Sequence, residues 1–275
     1  MAGAGDARTA QPRDVLVIGG GPAGLEAAWT AAARGHRVQL WEAGQALGGQ
    51  LNVLRDVPSR ARYLKLLDHQ QAQVLRHGVT VHLQRRADVA SVLAVRPDVV
   101  VLATGSSPQA APAVPGGGPV YDVTLAVREA DRLGDTVAVV DLTGEWATLS
   151  VVEHLADLGK RVTVYSPVAA VFWRTTIYST LATTRRLREK GVRLAPLRRL
   201  QAWDGRVLTV EDVSCGELHR HEADALVLAQ YHMANDSLRA PLQAAGLQVR
   251  EAGDCLAPRT AMEAVYEGAR LAYDI

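Results

Sequence analysis

The chain has 275 residues, enough for about two domains, and 48% of them are hydrophobic, enough for a sizeable core. Its formal net charge of +1 argues against nucleic acid or an anionic membrane as the main partner. No apolar run approaches the ~20 residues of a membrane span, and the leader MAGAGDARTAQP lacks the apolar stretch of a signal peptide. These features predict a cytoplasmic protein.

The first predicted elements form a complete mononucleotide-binding unit. The apolar strand VLVI is followed by Gly19, Gly21 and Gly24 in the spacing G-x-G-x-x-G, by a helix, and by a second strand ending on Glu42. The glycines allow a tight turn, close backbone approach to a pyrophosphate, and close helix packing. The helix N-terminus offers N–H groups to phosphates, and Glu42 can accept from both ribose hydroxyls. This pattern predicts a site for an adenine dinucleotide or its ADP part; the alternative is a tight βα turn without a ligand.

A glycine-rich loop, AGQALGGQLN, follows Glu42, and we expect Gly48, Gly49 and Gln50 to bring backbone close to a neighbouring group. The stretch from Pro108 to Pro119 is dense in Pro, Gly and Ala, which marks a crossover between domains. The elements predicted between these two features are a helix at 60–77 and strands at 79–83 and 98–104.

A second βαβ unit begins about 120 residues after the first. Strands that alternate with helices predict an α/β architecture with parallel sheets. The predicted elements are strands at 136–141, 161–165, 192–200, 207–213 and 225–229, helices at 149–158 and 180–190, and a final strand, turn and helix.

The positions of the cysteines and histidines argue against a metal site, an iron–sulfur cluster or a redox disulfide within this chain. Cys215 and Cys255 form no C-x-x-C motif, and two thiols are too few for an iron–sulfur cluster held by this chain alone. A disulfide between them is not expected in a reducing compartment. The eight histidines show no zinc spacing, and His36 is expected at the surface. We therefore assign no metal site and no catalytic side chain.

Three motifs stand in order along the chain: VIGGGPAG with Glu42, VVLATGSSP ending at Pro108, and EAGDCLAPRTAMEAVYEGARLA beginning at Glu251. Together they resemble the two-dinucleotide-domain flavoproteins of the disulfide-reductase type. More narrowly, GGQLN and GDCLAPR resemble the C-terminal half of the 2,4-dienoyl-CoA reductase and trimethylamine dehydrogenase (old yellow enzyme-like) family. The resemblance covers about residues 13–275.

The resemblance implies an α/β protein with two Rossmann-like dinucleotide-binding domains, the second inserted in the first. Residues 1–107 plus 228–275 would bind FAD or ADP, and residues 108–227 would form a degenerate NAD(P)-binding-like domain. Taken without the resemblance, Thr104-Gly105 is a strand end and Asp254 a helix N-cap. The implied cofactor residues are Gly19, Gly21, Pro22, Ala23, Gly24, Glu42, Ala43, Gly49, Gln50, Thr104, Gly105, Gly253 and Asp254.

The second unit departs from the family pattern. In dienoyl-CoA reductase-like proteins it carries another G-x-G-x-x-G, which receives NAD(P)H. Aligned through LADLGKRVTVY, this chain has Thr143, Glu145 and Thr148 at those positions. Glu145 would place bulk and like charge beside a pyrophosphate, and the next strand ends in Tyr165-Ser166 rather than an acid. We expect no NAD(P) in this domain.

That departure resembles trimethylamine, dimethylamine and histamine dehydrogenases, as does the stretch 171–192. There the FAD site holds ADP, and electrons leave through an iron–sulfur cluster to an electron-transferring flavoprotein. The family also carries an N-terminal barrel with FMN and four cluster cysteines, which this sequence does not include. The resemblance implies a subunit that docks on an FMN and 4Fe-4S barrel subunit, or a piece of a longer protein; the leader after Met1 favours the subunit.

Three functions follow from these patterns. The first is an FAD- or ADP-binding subunit of a flavin-dependent oxidoreductase of the amine dehydrogenase or demethylase kind. The second is a self-standing NAD(P)H-dependent flavoprotein reductase. The third is a structural ADP-binding module without a redox role. An intact Gly253-Asp254 motif favours FAD over ADP.

Overall fold

The structure, a computed structural model, describes residues 9–110 and 114–275, so most of the leader lies outside the described residues. These residues form two compact units. Unit 1 comprises the described residues of Met1–Asn52, Tyr63–Ser107 and His232–Ile275, and unit 2 comprises those of Val53–Arg62 and Pro108–Tyr231.

The strands of the described residues are, in chain order, β1 (Asp14–Ile18), β2 (Arg37–Trp41), β3 (Thr80–His82), β4 (Val99–Leu102), β5 (Ser106–Pro108), β6 (Val120–Asp122), β7 (Thr136–Asp141), β8 (Arg161–Tyr165), β9 (Arg193–Ala195), β10 (Arg198–Trp203), β11 (Val207–Asp212), β12 (Leu218–Glu222), β13 (Ala225–Ala229), β14 (His232–Ala234) and β15 (Gln248–Glu251). The helices are α1 (Pro22–Ala33), α2 (Leu64–Arg76), α3 (Val89–Val95), α4 (Val123–Arg128), α5 (Trp146–Asp157), α6 (Ile177–Glu189), α7 (Arg239–Ala244) and α8 (Ala261–Tyr273). Short 3₁₀ segments lie at Gly49–Asp56, Pro58–Tyr63, Ala130–Arg132 and Gly253–Cys255.

Unit 1 is built on a parallel sheet with the strand order β15-β4-β1-β2-β3. Its central strands read as continuous apolar runs, VVVL in β4 and VLVI within β1, and every one of those residues is buried. Such runs are typical of parallel strands that are covered on both faces. The carboxyl ends of β1, β2 and β4 therefore meet at one edge of the sheet, where a doubly wound fold binds its ligand.

Unit 2 is built on a second parallel sheet, with the order β6-β13-β7-β8-β9, and on an antiparallel meander, β10-β11-β12. The segment Val53–Arg62 belongs to this unit because Val57 is buried in its core and Arg60 pairs with Glu153. The Nη2 atom of Arg60 lies 3.3 Å from Oε2 of Glu153, a carboxylate that is 3% exposed.

The parallel α/β architecture predicted from the sequence is confirmed. The helix expected from residue 60 begins at Leu64, after a 3₁₀ segment, and α3 has no predicted counterpart. The expectation that His36 lies at the surface is wrong, because its side chain is 5% exposed and its Nδ1 accepts the backbone N–H of Arg13 at 3.2 Å.

None of the helices in the described ranges combines the length and the apolar character that a bilayer crossing requires.

Candidate functional site

Three glycines shape the turn between β1 and α1. Gly19 has a φ of +107°, and a Cβ on it would lie 2.2 Å from the carbonyl oxygen of Ala103. A Cβ on Gly24 would lie 1.9 Å from the carbonyl oxygen of Gly19, so α1 packs at a distance that excludes a side chain. Gly21 is the N-cap of α1, which has neither a side-chain cap nor an acidic residue in its first turn. This open helix N-terminus fits an anionic group such as a pyrophosphate.

Glu42 follows β2 and lies beside the same turn. Its Oε2 accepts the backbone N–H of Gly20 at 2.7 Å, and its Oε1 accepts that of Gly44 at 2.6 Å. A carboxylate offers about four acceptor positions, so these two bonds leave capacity for the hydroxyls of a ribose. Ala43, also predicted for the site, is exposed next to it.

The glycine-rich loop packs against the turn between β1 and α1 (residues 19–21), which is the fingerprint turn. Gly48 donates its N–H to the carbonyl oxygen of Gly20 at 2.8 Å. Gly49 has a φ of +54°, and a Cβ on it would lie 2.9 Å from the Cα of Gly21. The close backbone approach expected of this loop is therefore made to the turn itself. As a result, Gln50 reaches the residues that follow β4.

The residues after β4, Thr104 and Gly105, lie beside the glycine-rich loop and contact Asn235. Thr104 donates its hydroxyl to the carbonyl oxygen of Asn235 at 2.6 Å, and the N–H of Asn235 donates to the carbonyl oxygen of Gly105 at 2.9 Å. Gly105 has a φ of +72°, a conformation that favours glycine. The Thr104-Gly105 pair is thus held against the end of β14.

Gly253 and Asp254 form the turn that follows β15. Gly253 is buried with a φ of +70°, and a Cβ on it would lie 2.7 Å from the Cβ of Ala23. The turn therefore lies directly against the start of α1. Oδ1 of Asp254 accepts the backbone N–H of Arg259 at 3.1 Å, whereas the N-cap of α8 is Thr260. The alternative interpretation of Asp254 as a helix cap is wrong.

Asp254 belongs to a cluster of four polar side chains. Its Oδ2 accepts the hydroxyl of Ser106 at 2.7 Å and Nε2 of Gln50 at 3.3 Å. Nε2 of Gln50 also lies 2.9 Å from Oγ of Ser106, and that oxygen lies 3.1 Å from Nδ1 of His232. These are the residue types of a nucleophilic triad, but Asp254 binds the serine rather than the histidine. The arrangement therefore orients no base to activate Ser106.

The motifs predicted Gln50 and Asp254 but not Ser106 and His232. Ser106 follows the Thr104-Gly105 pair directly, so its position in the motif could have identified it. His232 is 126 residues from Ser106 along the chain and reaches it because β14 pairs with β5. No local pattern carries that information.

Two side chains near these residues, Cys255 and Glu251, have shifted pKa values. Burial raises the pKa of the Cys255 thiol, and hydrogen bonding to Thr104 opposes that shift. Burial also raises the pKa of Glu251, and the guanidinium of Arg239, whose Nη1 lies 3.1 Å from Oε2, opposes it. A thiol with a raised pKa stays protonated at neutral pH and is a poor nucleophile.

Unit 2 has a corresponding turn between β7 and α5. Glu145 is the N-cap of α5, the position that Gly21 holds at α1. The buried carboxylate of Asp141 accepts the N–H of Gly144 at 2.8 Å and the hydroxyl of Thr148 at 2.8 Å through Oδ1. The turn is therefore closed by an internal carboxylate.

The outer side of that turn is covered by side chains from the segment before α6. A Cβ on Gly144 would lie 2.7 Å from Cδ1 of Trp173. Nη1 of Arg174 lies 2.7 Å from Oε1 of Glu145, and Oδ2 of Asp141 accepts the N–H of Phe172 at 3.0 Å. An indole ring and two carboxylates thus lie around this turn, whereas the corresponding turn of unit 1 has glycine at the helix N-cap and the Glu42 carboxylate beside it.

Among the residues that the structure describes, no group of three or more His, Cys, Asp or Glu side chains is placed to hold a metal ion. Cys215 is exposed, Cys255 is buried, and both are free thiols.

Comparison with known proteins agrees with this geometry. A family model for pyridine nucleotide-disulphide oxidoreductases matches residues 13–266. The chain is 32% identical to the N,N-dimethylglycine/sarcosine dehydrogenase of Chromohalobacter salexigens, over 95% of this chain and 44% of that protein. It is 30% identical to the NADH oxidase of Thermoanaerobacter brockii, over 96% of this chain and 41% of that protein. The chain therefore spans less than half the length of these relatives.

A solved structure shares the fold at similar coverage. Histamine dehydrogenase from Rhizobium sp. 4-9 superposes with a TM-score of 0.88 at 26% identity, over 98% of this chain and 44% of that chain. The flavoprotein resemblance carried by the three sequence motifs is confirmed.

Proposed function

Since the chain belongs to the pyridine nucleotide-disulphide oxidoreductase family, we propose that it is the FAD-binding part of a flavin-dependent oxidoreductase of the amine dehydrogenase or demethylase kind. The observation that carries the proposal lies within unit 1. There an open helix N-terminus, the Glu42 carboxylate and the Asp254 cluster all adjoin the same fingerprint turn. A bound flavin would supply the electron transfer for which protein side chains are unsuited.

The residues of unit 1 divide between the two halves of such a cofactor. The fingerprint turn with Gly19, Gly21 and Gly24 would hold the pyrophosphate, and Glu42 would hold the adenosine ribose. Gly49, Gln50, Thr104, Gly105, Gly253 and Asp254 would line the flavin half. The Asp254 carboxylate, already oriented by protein donors, supports FAD over ADP because ADP has no polyol chain for it to bind.

We also propose that unit 2 receives no NAD(P)H. The Asp141 and Glu145 carboxylates adjoin the turn where a pyrophosphate would approach, and Trp173 covers Gly144. A phosphate in contact with the Asp141 carboxylate would be repelled by on the order of 1 kcal/mol at a high effective dielectric, whereas Arg174 compensates the charge of Glu145. The domains would be residues 1–107 plus 228–275 for the cofactor and 108–227 for this degenerate NAD(P)-like part, except that residues 53–62 and 228–231 pack with unit 2.

The relatives' greater length supports a partner. The chain matches 44% of the dimethylglycine/sarcosine dehydrogenase and 44% of histamine dehydrogenase, so those chains carry other parts that this one does not supply. We propose that a barrel-type part with FMN and a 4Fe-4S cluster completes the enzyme in the cytoplasm, as a separate subunit or in a longer chain. An electron-transferring flavoprotein would then receive the electrons.

A second candidate is a self-standing NAD(P)H-dependent flavoprotein reductase. The match to an NADH oxidase over 96% of this chain favours it. A third candidate, a structural ADP-binding module, needs only the fingerprint turn and Glu42.

An absorbance spectrum of the purified chain, with chromatography of its released nucleotide, tests these functions. We expect a flavin absorbance band and FAD in the extract, and no bleaching of that band by NADH or NADPH. Rapid bleaching would support the self-standing reductase instead. A colourless protein that releases ADP and takes up no FAD would overturn the proposal in favour of the structural module.

A further inference from the structure

We propose that His232 is a positioning residue for the flavin half of the site, acting through Ser106 to orient the Asp254 carboxylate. It would thereby raise the affinity for FAD without changing that for ADP. The inference rests on the proposed FAD site and deepens it. It assigns a role to two side chains, Ser106 and His232, that no sequence motif identified.

The direction of the hydrogen bonds follows from counting hydrogens. Ser106 has one hydroxyl hydrogen, and Oδ2 of Asp254, an acceptor when ionised, lies 2.7 Å from Oγ. The hydroxyl therefore donates to Asp254. Its oxygen then has two lone pairs, which accept Nε2 of Gln50 at 2.9 Å and Nδ1 of His232 at 3.1 Å. Nδ1 of His232 must carry a hydrogen in this arrangement.

These bonds leave the Asp254 carboxylate partly occupied by protein donors. Ser106 donates to Oδ2, and the backbone N–H of Arg259 donates to Oδ1 at 3.1 Å. The two Nε2 hydrogens of Gln50 are shared among Oγ and the carbonyl oxygen of Ser106 and Oδ2 of Asp254, which is the most distant of the three at 3.3 Å. With about four acceptor positions in all, roughly one or two remain, which suits a ligand hydroxyl. An acceptor held in place before binding loses little freedom on binding, which raises affinity.

The ligand chemistry that fits is a polyol chain beyond the pyrophosphate. ADP ends at its phosphates, and the residues proposed for it are the fingerprint glycines and Glu42, none of which bonds to His232 or Ser106 in the described structure. FAD continues into a ribityl chain with hydroxyl donors. A substitution that breaks the hydrogen bonds linking His232, Ser106 and Asp254 should therefore weaken FAD binding and leave ADP binding unchanged.

Dissociation constants for FAD and ADP, measured by titration calorimetry on the full chain, test this inference. We expect His232→Ala and Ser106→Ala to weaken FAD binding roughly five- to tenfold, the effect of one lost hydrogen bond, and to leave ADP binding within about twofold. His232→Asn, whose amide N–H can replace Nδ1–H, should recover most of the FAD affinity. His69→Ala, at an exposed position on α2 of the same unit, is the control.

The outcomes separate this inference from the proposed function. Equal losses for FAD and ADP, or no loss for either, would overturn the positioning role, as would a His232→Asn variant no better than His232→Ala. Wild-type protein that binds ADP but no FAD would overturn the proposed function itself.

Discussion

At the scale of single residues, the site consists of backbone N–H groups and a few oriented carboxylates. Glu42 is the clearest example, because one side chain ties together the fingerprint turn and the loop after β2. Both of its oxygens act as acceptors at once. With about four acceptor positions, a carboxylate can accept both backbone N–H groups and still accept from a ribose.

We therefore expect Glu42→Gln to weaken ADP binding strongly. The amide nitrogen would face a backbone N–H at either Gly20 or Gly44, and the charge-assisted bonds to ribose would be lost. Hydrogen bonds to charged groups contribute about 1.5–3 kcal/mol, so the loss should be roughly 10- to 100-fold. ADP titration measures it, with Glu217→Gln, at an exposed position in unit 2, as the control. An unchanged dissociation constant would exclude Glu42 from the ligand site.

A second residue-scale effect concerns pH. Burial, together with the positive charges of Arg34 and Arg13, lowers the pKa of His36. The unfolded chain therefore binds a proton on this side chain more readily than the folded one. The stability that neutral His36 permits is full above its unfolded pKa of about 6.5 and is lost as pH falls through the lowered folded value.

The free energy of unfolding, from urea titrations between pH 7.5 and 5.5, should thus fall less steeply for His36→Asn than for wild type. His69→Asn, at an exposed position on α2, should keep the wild-type slope. Burial also lowers the pKa values of His154 and His221, so the free energy of unfolding still falls with decreasing pH in every variant. If the free energy of unfolding fell equally steeply with pH in His36→Asn and wild type, a lowered pKa of His36 in the folded chain would be contradicted.

At the scale of elements, the sequence predicts most of the parallel strands because burial on both faces leaves continuous apolar runs such as VVVL in β4. It misses α3, which has only seven residues and whose main signal is a capping box between Asp88 and Ser91. For the candidate site, contiguous motifs predicted Gly19 to Glu42 and Asp254. His232 was not identified because only the pairing of β5 with β14 brings it to Ser106.

The packing of α1 on β1 gives an element-scale prediction. A methyl group on Gly24 would overlap the carbonyl oxygen of Gly19, a backbone atom that cannot move without distorting the turn. We expect Gly24→Ala to lower the free energy of unfolding by at least about 2 kcal/mol in urea titrations, even though alanine favours helix.

Gly78→Ala provides the matched control for steric overlap. Gly78 has a φ of +70°, and a Cβ there would meet no atom of the described residues within 4 Å, so its substitution costs only backbone strain of about 1 kcal/mol. A Gly24→Ala variant as stable as Gly78→Ala would show that α1 can move away from β1 without loss.

At the scale of the whole molecule, two units with the same βαβ plan have turns of opposite character. The unit 1 turn offers backbone N–H groups beside an open helix N-terminus, whereas the unit 2 turn is occupied by Asp141, Glu145 and Trp173. Although both units have the βαβ plan of a nucleotide-binding domain, we therefore expect only unit 1 to bind a nucleotide, which gives one nucleotide per chain. If unit 2 binds no NAD(P)H, the proposed flavin enzyme needs another source of electrons.

Thermal unfolding of the FAD-saturated chain tests that expectation. A ligand that binds only the folded state at 100 times its dissociation constant adds about 2.7 kcal/mol of stability, so FAD should raise the Tm of the ligand-free chain clearly. Prior saturation with FAD matters, because the ADP part of NADH could otherwise enter the unit 1 site. We expect NADH or NADPH to produce no further rise in Tm, because the Asp141 carboxylate closes the unit 2 turn and Trp173 covers Gly144. A further rise would show that unit 2 binds a second nucleotide and would favour the self-standing reductase.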